Sequence, residues 1–380
     1  MNIAISTLVT PPQKRGVGNY VAFLLKALQT IDQHNHYFIL TGPDIQNLFE
    51  IHAPNFETIV LPFRHEPRLL MRAAYIAWQN SLSRRFLQKA HIDVMHVPNL
   101  VPILNPAIPT VVTIHDLAEF QVAKYSRVRQ AYRKWVPRTI AKNAQRVIVV
   151  SESSKDDLYK FTGYPKDRID VTYEASAIDP QYIVQERIVC KQRFGIDGEY
   201  LLNVGSTLPH KNHRTLIRAF EYVKKRRKTS LKLVLVGDRE KKEALVASMG
   251  LDEVIRDDII FTGYVPDDML PTLYHYAAAY VFPSTYEGFG LTVLDAMRFG
   301  TPVITSNISS LPEVAGDAAL LIDPLDTDEL AQAIISILDD NSLRQHLSVR
   351  GRQQAATFSW ESCARLTLRA YQQAIDSHNA

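Results

Sequence analysis

Residues 281–303 read VFPSTYEGFGLTVLDAMRFGTPV, and this stretch decides the fold of the second half of the chain. A short apolar run ends at Pro283, a turn containing two glycines follows, and apolar side chains then recur at helical spacing from Leu291 to Gly300. Glycine lets backbone N–H groups approach a ligand closely, and the first turn of a helix leaves such groups without intrahelical partners. The stretch therefore predicts a strand, a tight turn and a helix whose N-terminus binds an anion, most naturally a phosphate.

Two carboxylates flank the predicted helix terminus, Glu287 before it and Asp295 about two turns into it. Eight helical residues rise by about 12 Å, which is the scale of a nucleotide diphosphate lying along the terminus. One carboxylate can then hold a sugar and the other a ribose. The alternative is a solvated turn residue at Glu287 and a solvent-facing helix residue at Asp295, because two glycines and two acids are weak support by themselves.

The stretch resembles the signature of family 4 of the glycosyltransferases, which are retaining enzymes with the two-domain GT-B fold. The family usually has two glutamates separated by seven residues, whereas this chain has Asp295 at the second place, a side chain shorter by about one carbon–carbon bond. The resemblance implies that Glu287 binds the donor sugar and that the second acid binds the ribose. The shorter side chain of Asp295 therefore affects how far this carboxylate reaches toward the ribose and which nucleotide is preferred. It rests on Glu287, Gly288, Phe289, Gly290 and Leu291, on Asp295 with Ala296 and Met297, and on Gly300-Thr301-Pro302-Val303.

Length and composition limit the possible classes of protein. A chain of 380 residues exceeds the usual size of a single hydrophobic core, and 46% hydrophobic with 22% charged residues is an ordinary globular composition. The net charge of +3 is too small to indicate a nucleic-acid partner. Cys190 and Cys363 occur without a secretory signal, and no apolar run approaches the length of a membrane-spanning helix. We therefore expect a cytoplasmic protein of two domains, soluble or peripheral to a membrane.

The N-terminal part begins with an apolar strand at residues 2–9, a loop containing Gly16 and Gly18, and a helix. The full dinucleotide-binding fingerprint is absent because Val21 stands where it requires glycine. The family resemblance implies that this loop lies near the donor diphosphate and the acceptor. A simple tight turn is the alternative.

Further short strands alternate with helical stretches, which predicts a parallel sheet covered by helices on both faces. One strand ends at His115 and Asp116, and the sequence Thr-Ile-His-Asp-Leu resembles the family segment whose histidine contacts the donor sugar. A satisfied structural histidine is the alternative. The next strand ends at Ser151, which we assign to the ligand site, whereas Ser153 is expected to cap the following helix. The strands are predicted at His36–Leu40, Thr58–Leu61, Val94–His96, Thr110–Thr113 and Val147–Val150.

Two segments of the first half are basic and contain no acid. Residues 67–90 carry five cations, and residues 124–146 carry eight. Basic amphipathic helices of this kind can lie on anionic membranes, so an anionic membrane surface or a lipid-linked acceptor is a candidate partner. The alternative is a core-packing helix with a solvated basic face.

The second half repeats the strand, turn and helix pattern after a break at residues 171–180 and a helix at Gln185–Phe194. A strand ends at Gly205 and Ser206, and the sequence His210-Lys211-Asn212 follows. A cation beside a glycine turn and just before a helix can neutralise a phosphate. The family commonly has Arg-Lys-Asn here, so His210 brings a hydrogen bond with less charge. One later strand ends at Gly237, and another ends at Tyr264 and Val265. The resemblance implies that backbone groups at Tyr264 and Val265 contact the base of the nucleotide.

Acidic residues near other helix starts are expected to be caps rather than metal ligands. Asp267 and Asp268 precede one helix, and the metal-ligand-like sequence Asp326-Thr327-Asp328 opens another. We therefore expect no catalytic metal and no cofactor.

The α/β pattern and the resemblance together predict a GT-B protein with two Rossmann-like parallel-sheet domains facing each other across a cleft. The first spans 1–178 and is joined by the C-terminal helix 361–380, and the second spans 179–360. The resemblance implies metal-independent, retaining transfer of a hexose from a nucleoside-diphosphate sugar to a sugar or lipid-linked acceptor in polysaccharide or glycoconjugate synthesis. UDP-glucose is the first donor expected and GDP-mannose the next. The alternatives are a GT-B epimerase of sugar nucleotides and a nucleotide- or polyanion-binding module. The proposed catalytic residues are Glu287, His115 and Lys211.

Overall fold

The computed structural model describes residues 1–8, 10, 16–64, 68–122, 127–179, 181–227 and 229–379. The chain divides into two compact units, one made of Met1–Glu174 with Ser359–Ala380 and the other of Ala175–Phe358. The end of the first predicted strand, the starts of the two basic segments and the end of the predicted break between the domains lie outside the described residues, at Val9, Pro67, Lys124 and Pro180.

The first unit is built on a seven-stranded parallel sheet in the order β3-β2-β1-β4-β5-β6-β7. The strands are β1 (Asn2–Ser6), β2 (His36–Thr41), β3 (Phe56–Val60), β4 (Val94–Val97), β5 (Thr110–Ile114), β6 (Arg146–Val149) and β7 (Ile169–Val171). The helices before the unit boundary are α1 (Val17–Ile31), α2 (Arg68–Ala77), α3 (Ser83–Lys89), α4 (Ala118–Gln121), α5 (Arg127–Asn143) and α6 (Glu152–Thr162).

The predicted strands of this unit are confirmed, with shifts of one or two residues at most of their ends, although β1 ends at Ser6, before the predicted end. The helix after β1 begins at Val17, earlier than expected. Gly16 has a φ of 50°, a backbone conformation that turns the chain sharply into the helix and that glycine adopts without strain. Gly18 therefore lies in the first turn of α1, and the prediction that it belongs to a loop is wrong.

Both basic segments form helices in their described parts. Residues 68–89 form α2, a π-helical turn at Trp78–Leu82 and α3, and residues 127–143 form α5 with Pro137 inside it. None of the helices in the described part of the chain is both long enough and apolar enough to cross a membrane.

The second unit is built on a six-stranded parallel sheet in the order β10-β9-β8-β11-β12-β13. The strands are β8 (Tyr200–Val204), β9 (Lys232–Val236), β10 (Ile259–Gly263), β11 (Ala279–Phe282), β12 (Val303–Ser306) and β13 (Ala319–Ile322). The helices are α7 (Ile188–Phe194), α8 (His213–Arg227), α9 (Arg239–Ala247), α10 (Glu253–Asp257), α11 (Leu270–Tyr276), α12 (Leu291–Arg298), α13 (Leu311–Ala315), α14 (Thr327–Asp339) and α15 (Asn341–Ala356).

Two helix starts in this unit differ from the prediction. Helix α7 begins at Ile188 rather than Gln185, and the backbone N–H of Gln185 donates to the hydroxyl of Thr272 at 2.9 Å. The N-cap of α11 is Met269, without a side-chain cap, so the prediction that Asp267 and Asp268 cap this helix is wrong.

The capping role of the Asp-x-Asp sequence is confirmed. Asp326 is the N-cap of α14, and its Oδ1 accepts hydrogen bonds from the backbone N–H groups of Asp328 and Glu329, both at 2.9 Å. The side chain thus satisfies two N–H groups that the first turn of a helix leaves without partners.

Each sheet has one point at which the strand order reverses direction. In the first unit this point lies between β1 and β4, and in the second between β8 and β11. Open α/β sheets bind ligands beyond the carboxyl ends of the strands that flank such a point. The loops that follow β8 and β11 are therefore the expected ligand-binding loops of the second unit.

The last helix, α16 (Trp360–Asn379), belongs to the first unit and packs against α1. Its Tyr371 hydroxyl lies 2.7 Å from Nδ1 of His96, and Nε2 of the same histidine lies 2.8 Å from Oγ1 of Thr113. All three side chains are fully buried. Burial, with a smaller effect of His115, lowers the pKa of His96 to about 3, so this histidine is neutral.

We predict that Tyr371→Phe lowers the free energy of unfolding by about 1–3 kcal/mol, because it leaves a buried ring nitrogen of His96 without a partner. Urea unfolding followed by circular dichroism measures the change. Gln372→Ala, an exposed position on the same helix, is the control and is expected to have little effect. An equal loss in both variants would show that the tyrosine–histidine contact does not anchor α16.

Candidate functional site

An ion pair joins the two loops that follow β8 and β11. Nζ of Lys211 lies 2.6 Å from Oε1 and 2.8 Å from Oε2 of Glu287, and both side chains are mostly buried, at 16% and 12% exposure. The cation predicted to bind phosphate and the acid predicted to bind sugar are therefore direct neighbours. They lie where the strand order of the second sheet reverses.

Backbone and hydroxyl groups fix the loop that carries Lys211. The carbonyl of His210 accepts a hydrogen bond from the backbone N–H of Thr285 at 2.7 Å. The hydroxyl of Ser284 lies 2.9 Å from this carbonyl and 2.5 Å from Oε1 of Glu287. His210 itself is buried. The two loops are thus held together on both sides of the ion pair.

Serines that follow β12 hold the backbone of the second loop. The hydroxyl of Ser309 donates to the carbonyl of Glu287 at 2.6 Å and lies 3.1 Å from its N–H. The hydroxyl of Ser310 lies 2.6 Å from the carbonyl of Phe289. The sequence analysis did not identify Ser284, Ser309 or Ser310. The signal that could have found them is the hydroxyl residues in the segments that follow β11 and β12.

Helix α12 begins after a glycine that the backbone conformation requires. Gly290 precedes the helix with a φ of 129°, and a Cβ at this position would lie 3.0 Å from Cδ2 of Leu311, so a larger residue would be both strained and crowded. The first turn of the helix carries no acid and no side-chain cap. The positive end of the helix dipole is therefore not offset locally by a carboxylate, as an anion site requires.

Three neighbouring strands of this unit, β8, β9 and β10, end at or directly before a glycine. The backbone N–H of Gly205 donates to the carbonyl of Val236 at 3.2 Å, and that of Gly237 donates to the carbonyl of Gly263 at 2.9 Å. A Cβ on Gly237 would lie 2.4 Å from the carbonyl oxygen of Gly205, so only glycine fits. Beside these glycines, the predicted site residue Ser206 is exposed, Tyr264 is 56% exposed and Val265 is buried.

Asp295 is buried, so the alternative of a solvent-facing residue is wrong. Its Oδ1 accepts hydrogen bonds from the hydroxyl of Ser176 at 2.6 Å and from the backbone N–H of Ala177 at 3.1 Å. Burial raises the pKa of this carboxyl to about 6, against the lowering effect of the two hydrogen bonds. The predicted contact with ribose stays a prediction. Ser176 was not predicted from the sequence, because it lies 119 residues away from Asp295.

The predicted site residues of the first unit follow its strand ends. His115 comes directly after β5, with Nδ1 at 3.2 Å from Oε1 of Glu174 and Nε2 at 3.2 Å from the carbonyl of Pro98. Both ring nitrogens thus face acceptors. Oδ1 of Asp116 accepts a hydrogen bond from the backbone N–H of Ala118 at 3.0 Å. The sugar contact of His115 stays a prediction, and sequence reasoning missed Glu174.

Ser151, not Ser153, is the N-cap of α6, so the predicted cap is wrong. Its hydroxyl accepts a hydrogen bond from the backbone N–H of Ser154 at 3.0 Å and is fully buried. The cap lies at Ser151 because β6 ends at Val149 and the helix begins at Glu152. The role of Ser151 at a ligand site stays a prediction.

The described residues contain no group of three or more histidine, cysteine, aspartate or glutamate side chains arranged to hold a metal ion. The expectation that catalysis needs no metal stays a prediction.

Comparison with known proteins identifies the family. The model of the family described as Glycosyltransferase Family 4 matches residues 14–175, and that of Glycosyl transferases group 1 matches residues 185–354. The O-antigen chain mannosyltransferase B of Escherichia coli is 32% identical over 369 residues, which cover 94% of this chain and 95% of that protein. The chain belongs to glycosyltransferase family 4. The family expected from residues 281–303 is thereby confirmed.

Solved structures support the GT-B fold of this glycosyltransferase. Sucrose-phosphate synthase from Thermosynechococcus elongatus has a TM-score of 0.76 at 24% identity, with 98% of each chain covered. Anabaena HepE in complex with UDP-glucose has a TM-score of 0.67 at 18% identity, with 100% of this chain and 99% of that chain covered. At these identities the likeness concerns the fold alone, and it confirms the two parallel-sheet domains.

The raised pKa of Asp295 predicts how stability depends on pH. The usual aspartate pKa is about 4, so between about pH 4 and pH 6 the folded protein binds this proton more tightly than the unfolded chain. Stability from this group is present below that window and is lost as the pH rises through it. We expect Asp295→Asn, whose carbonyl oxygen can accept the same two hydrogen bonds, to be more stable than wild type at pH 7.5 by about 1–3 kcal/mol.

Urea unfolding of wild type and variant at pH 4 and pH 7.5 tests this expectation. The advantage of Asp295→Asn should shrink at the lower pH, where the wild-type carboxyl is protonated. Asp328→Asn, at an exposed acid of the same unit, is the control. A pH-independent difference between wild type and Asp295→Asn would mean that the carboxyl is not held in a costly charged form.

Proposed function

We propose that this glycosyltransferase transfers mannose from GDP-mannose to a saccharide acceptor during the synthesis of a cell-surface polysaccharide. The Lys211–Glu287 ion pair at the reversal of the strand order carries the assignment of the donor site. The choice of mannose rests on the likeness to the E. coli O-antigen chain mannosyltransferase B over nearly the whole chain. This relative favours the mannosyl alternative over UDP-glucose, the donor first expected from the sequence.

The two residues of the ion pair are placed to bind different parts of one donor molecule. Glu287 accepts hydrogen bonds and is placed to orient sugar hydroxyls, whereas Lys211 is a point charge placed to meet a phosphate. Their mutual contact at 2.6 Å fixes each side chain before the donor arrives. A donor that bridges the two groups is thereby aligned with its glycosidic bond between the acid and the cation.

Transfer requires the bond between the anomeric carbon and the diphosphate oxygen to break, which builds positive charge on the sugar and negative charge on the leaving group. The oxocarbenium character is the same as in glycoside hydrolysis. We propose that fixed donors meet the leaving charge without a metal, namely Lys211, His210 and the backbone N–H groups at the start of α12. The acceptor hydroxyl then attacks the anomeric carbon on the face that the diphosphate leaves and passes its proton to the departing diphosphate oxygen, so the new bond forms with retention of the anomeric configuration of the sugar.

Donor hydrolysis and transfer assays with EDTA present test this function. We expect wild type to release GDP from GDP-mannose faster than UDP from UDP-glucose. Glu287→Gln and Lys211→Met should each lower kcat/KM by about 10²–10³-fold, the usual effect of removing one group that stabilises developing charge. Restoration of activity only by added divalent metal would contradict the metal-independent course.

Two exposed positions of the second unit supply matched controls for these variants. Glu243 and Lys225 form surface ion pairs with Arg239 and Glu221. Glu243→Gln and Lys225→Met should keep the wild-type rate. A preference for UDP-glucose with the same sensitivity to Glu287→Gln would leave the site assignment intact and contradict the mannosyl donor.

We further propose that α5 binds an anionic membrane surface close to a lipid-linked acceptor. Its outward side carries the exposed aromatic residues Tyr132 and Trp135, at 37% and 44% exposure, with their ring centroids 6.0 Å apart. Arg138 and Lys142 are also exposed, and the helix contains no acid. Aromatic rings and cations on one side of a helix are the composition of an interfacial membrane contact.

We predict that the double variant with Tyr132→Ala and Trp135→Ala binds vesicles of phosphatidylcholine and phosphatidylglycerol at least about tenfold more weakly, because two aromatic side chains no longer enter the interface. Co-sedimentation at low salt measures the binding. Tyr159→Ala, at an exposed tyrosine on α6, is the matched control. Wild type that does not sediment with these vesicles would refute the membrane contact.

A further inference from the structure

Lys242 on α9 is a buried lysine without an acidic partner. Its side chain is 1% exposed, and Nζ donates to the carbonyl of Val236 at 2.6 Å. Within the described part of the chain, no carboxylate oxygen lies within 4 Å of this ammonium group. Lysine is almost never fully buried unless its charge is paired, so the burial of Lys242 needs an explanation.

The ammonium group lies directly behind the glycine turns of the candidate site. The carbonyl of Val236 that accepts from Lys242 also accepts from the backbone N–H of Gly205 at 3.2 Å. A Cβ on Gly237 would lie 3.4 Å from Nζ of Lys242 and 2.4 Å from the carbonyl oxygen of Gly205. The buried charge is thus adjacent to two of the glycines at which the strands β8 and β9 end.

The charges around this site do not balance a diphosphate without Lys242. Lys211, the cation proposed to meet the phosphate, shares its charge with Glu287 in a bidentate contact and does not offset a diphosphate alone. His213, at the start of α8, is 3% exposed, and its Nε2 has no hydrogen-bond partner among the described residues. Burial, and then the charges of Lys242 and Lys211, lower the pKa of His213 to about 3, so this ring is neutral.

Asp238, the acid whose charge acts on Lys242, does not neutralise it. Asp238 caps α9 by accepting from the backbone N–H of Lys241, and its other oxygen pairs with Nζ of Lys241 at 2.6 Å. Burial lowers the pKa of Lys242 to about 8, against a smaller opposite effect of Asp238, so the group is still mostly protonated at neutral pH. A positive charge therefore remains, in a region of low dielectric constant, where it acts strongly over short distances.

We propose that Lys242 is a positioning residue for the donor, whose buried ammonium group attracts the diphosphate of a nucleoside-diphosphate sugar through the turns at Gly205 and Gly237. This inference rests on the proposed function. It explains why the charge is buried without an acid, since the donor diphosphate supplies the missing negative charge. It also offers a source of positive charge in a chain that has His210 where an arginine is common in the family.

A purely structural role makes different predictions. If Lys242 only holds the carbonyl of Val236, its removal should destabilise the protein and leave the affinity for nucleotides unchanged. If its charge serves the donor, an apolar replacement should fold at least as well, because a buried unpaired charge costs stability, and should bind phosphate-bearing ligands more weakly. The two variants Lys242→Met and Lys242→Gln separate these roles, since glutamine keeps a hydrogen-bond donor without the charge.

Isothermal titration calorimetry with GDP, UDP and guanosine, together with thermal unfolding, carries out the test. We expect both variants to bind GDP about tenfold or more weakly than wild type, to bind guanosine as wild type does, and to keep or raise the melting temperature. Lys241→Met, at the exposed neighbouring lysine, is the matched control and should bind GDP normally.

Each of three other results would contradict a specific proposal. If wild type binds GDP and both variants bind it equally well, Lys242 does not serve the diphosphate and the proposed function stands. If glutamine restores the affinity that methionine loses, the hydrogen bond to Val236 is the cause and the charge is not. If wild type binds neither GDP nor UDP, the proposed function fails, and the inference fails with it.

Discussion

The second unit depends on the ion pair between Lys211 and Glu287, because it joins the loops on either side of the point where the strand order reverses. Two charges that are mostly removed from water lose hydration, and their attraction offsets that loss only with good geometry and additional hydrogen bonds. Both conditions are met here. The contact is bidentate, the hydroxyl of Ser284 lies within hydrogen-bond distance of one carboxylate oxygen, and the ammonium group lies 5.1 Å from the ring centre of Phe282.

The two acids of the signature have different environments and hence different properties. Glu287 pairs directly with a cation, whereas Asp295 accepts hydrogen bonds from two neutral donors and is deeply buried, and this burial raises its pKa to about 6 against the smaller effects of those bonds and of Arg298. Desolvation disfavours the charged form of a carboxyl, and only a nearby positive charge or several hydrogen bonds can reverse this effect. Spacing along one helix therefore does not make the two carboxylates equivalent. Glu287 accepts hydrogen bonds from Lys211 and Ser284, whereas Asp295 accepts them from Ser176 and Ala177.

Local sequence patterns predicted most of the fold and the centre of the candidate site. Strand ends, glycine turns and helical periodicity placed Lys211 and Glu287 in loops that the parallel topology brings together. The partners of these side chains were not predictable, because they depend on contacts between segments far apart in the chain. Ser309 meets Glu287 only once β12 lies beside β11, and Glu174 meets His115 across 59 residues. The predicted N-caps of two helices were also wrong. The observed N-caps are Ser151 and Met269, because the end of the preceding strand or turn, rather than the most polar residue, determines where each helix begins.

The fold by itself does not determine the sugar that is transferred. Sucrose-phosphate synthase and HepE share this fold at 24% and 18% identity, a level at which the likeness concerns the fold alone. Sugars differ in the orientation of single hydroxyl groups, so discrimination requires a few polar groups held in fixed places rather than a different backbone. In the proposed donor site such a group is Glu287, and it is held by serine hydroxyls on the backbone of its loop and by the ion pair itself. Because these contacts fix where Glu287 can accept a hydrogen bond, the proposed sugar contact of Glu287 predicts that a change in them alters donor choice while both sheets stay the same.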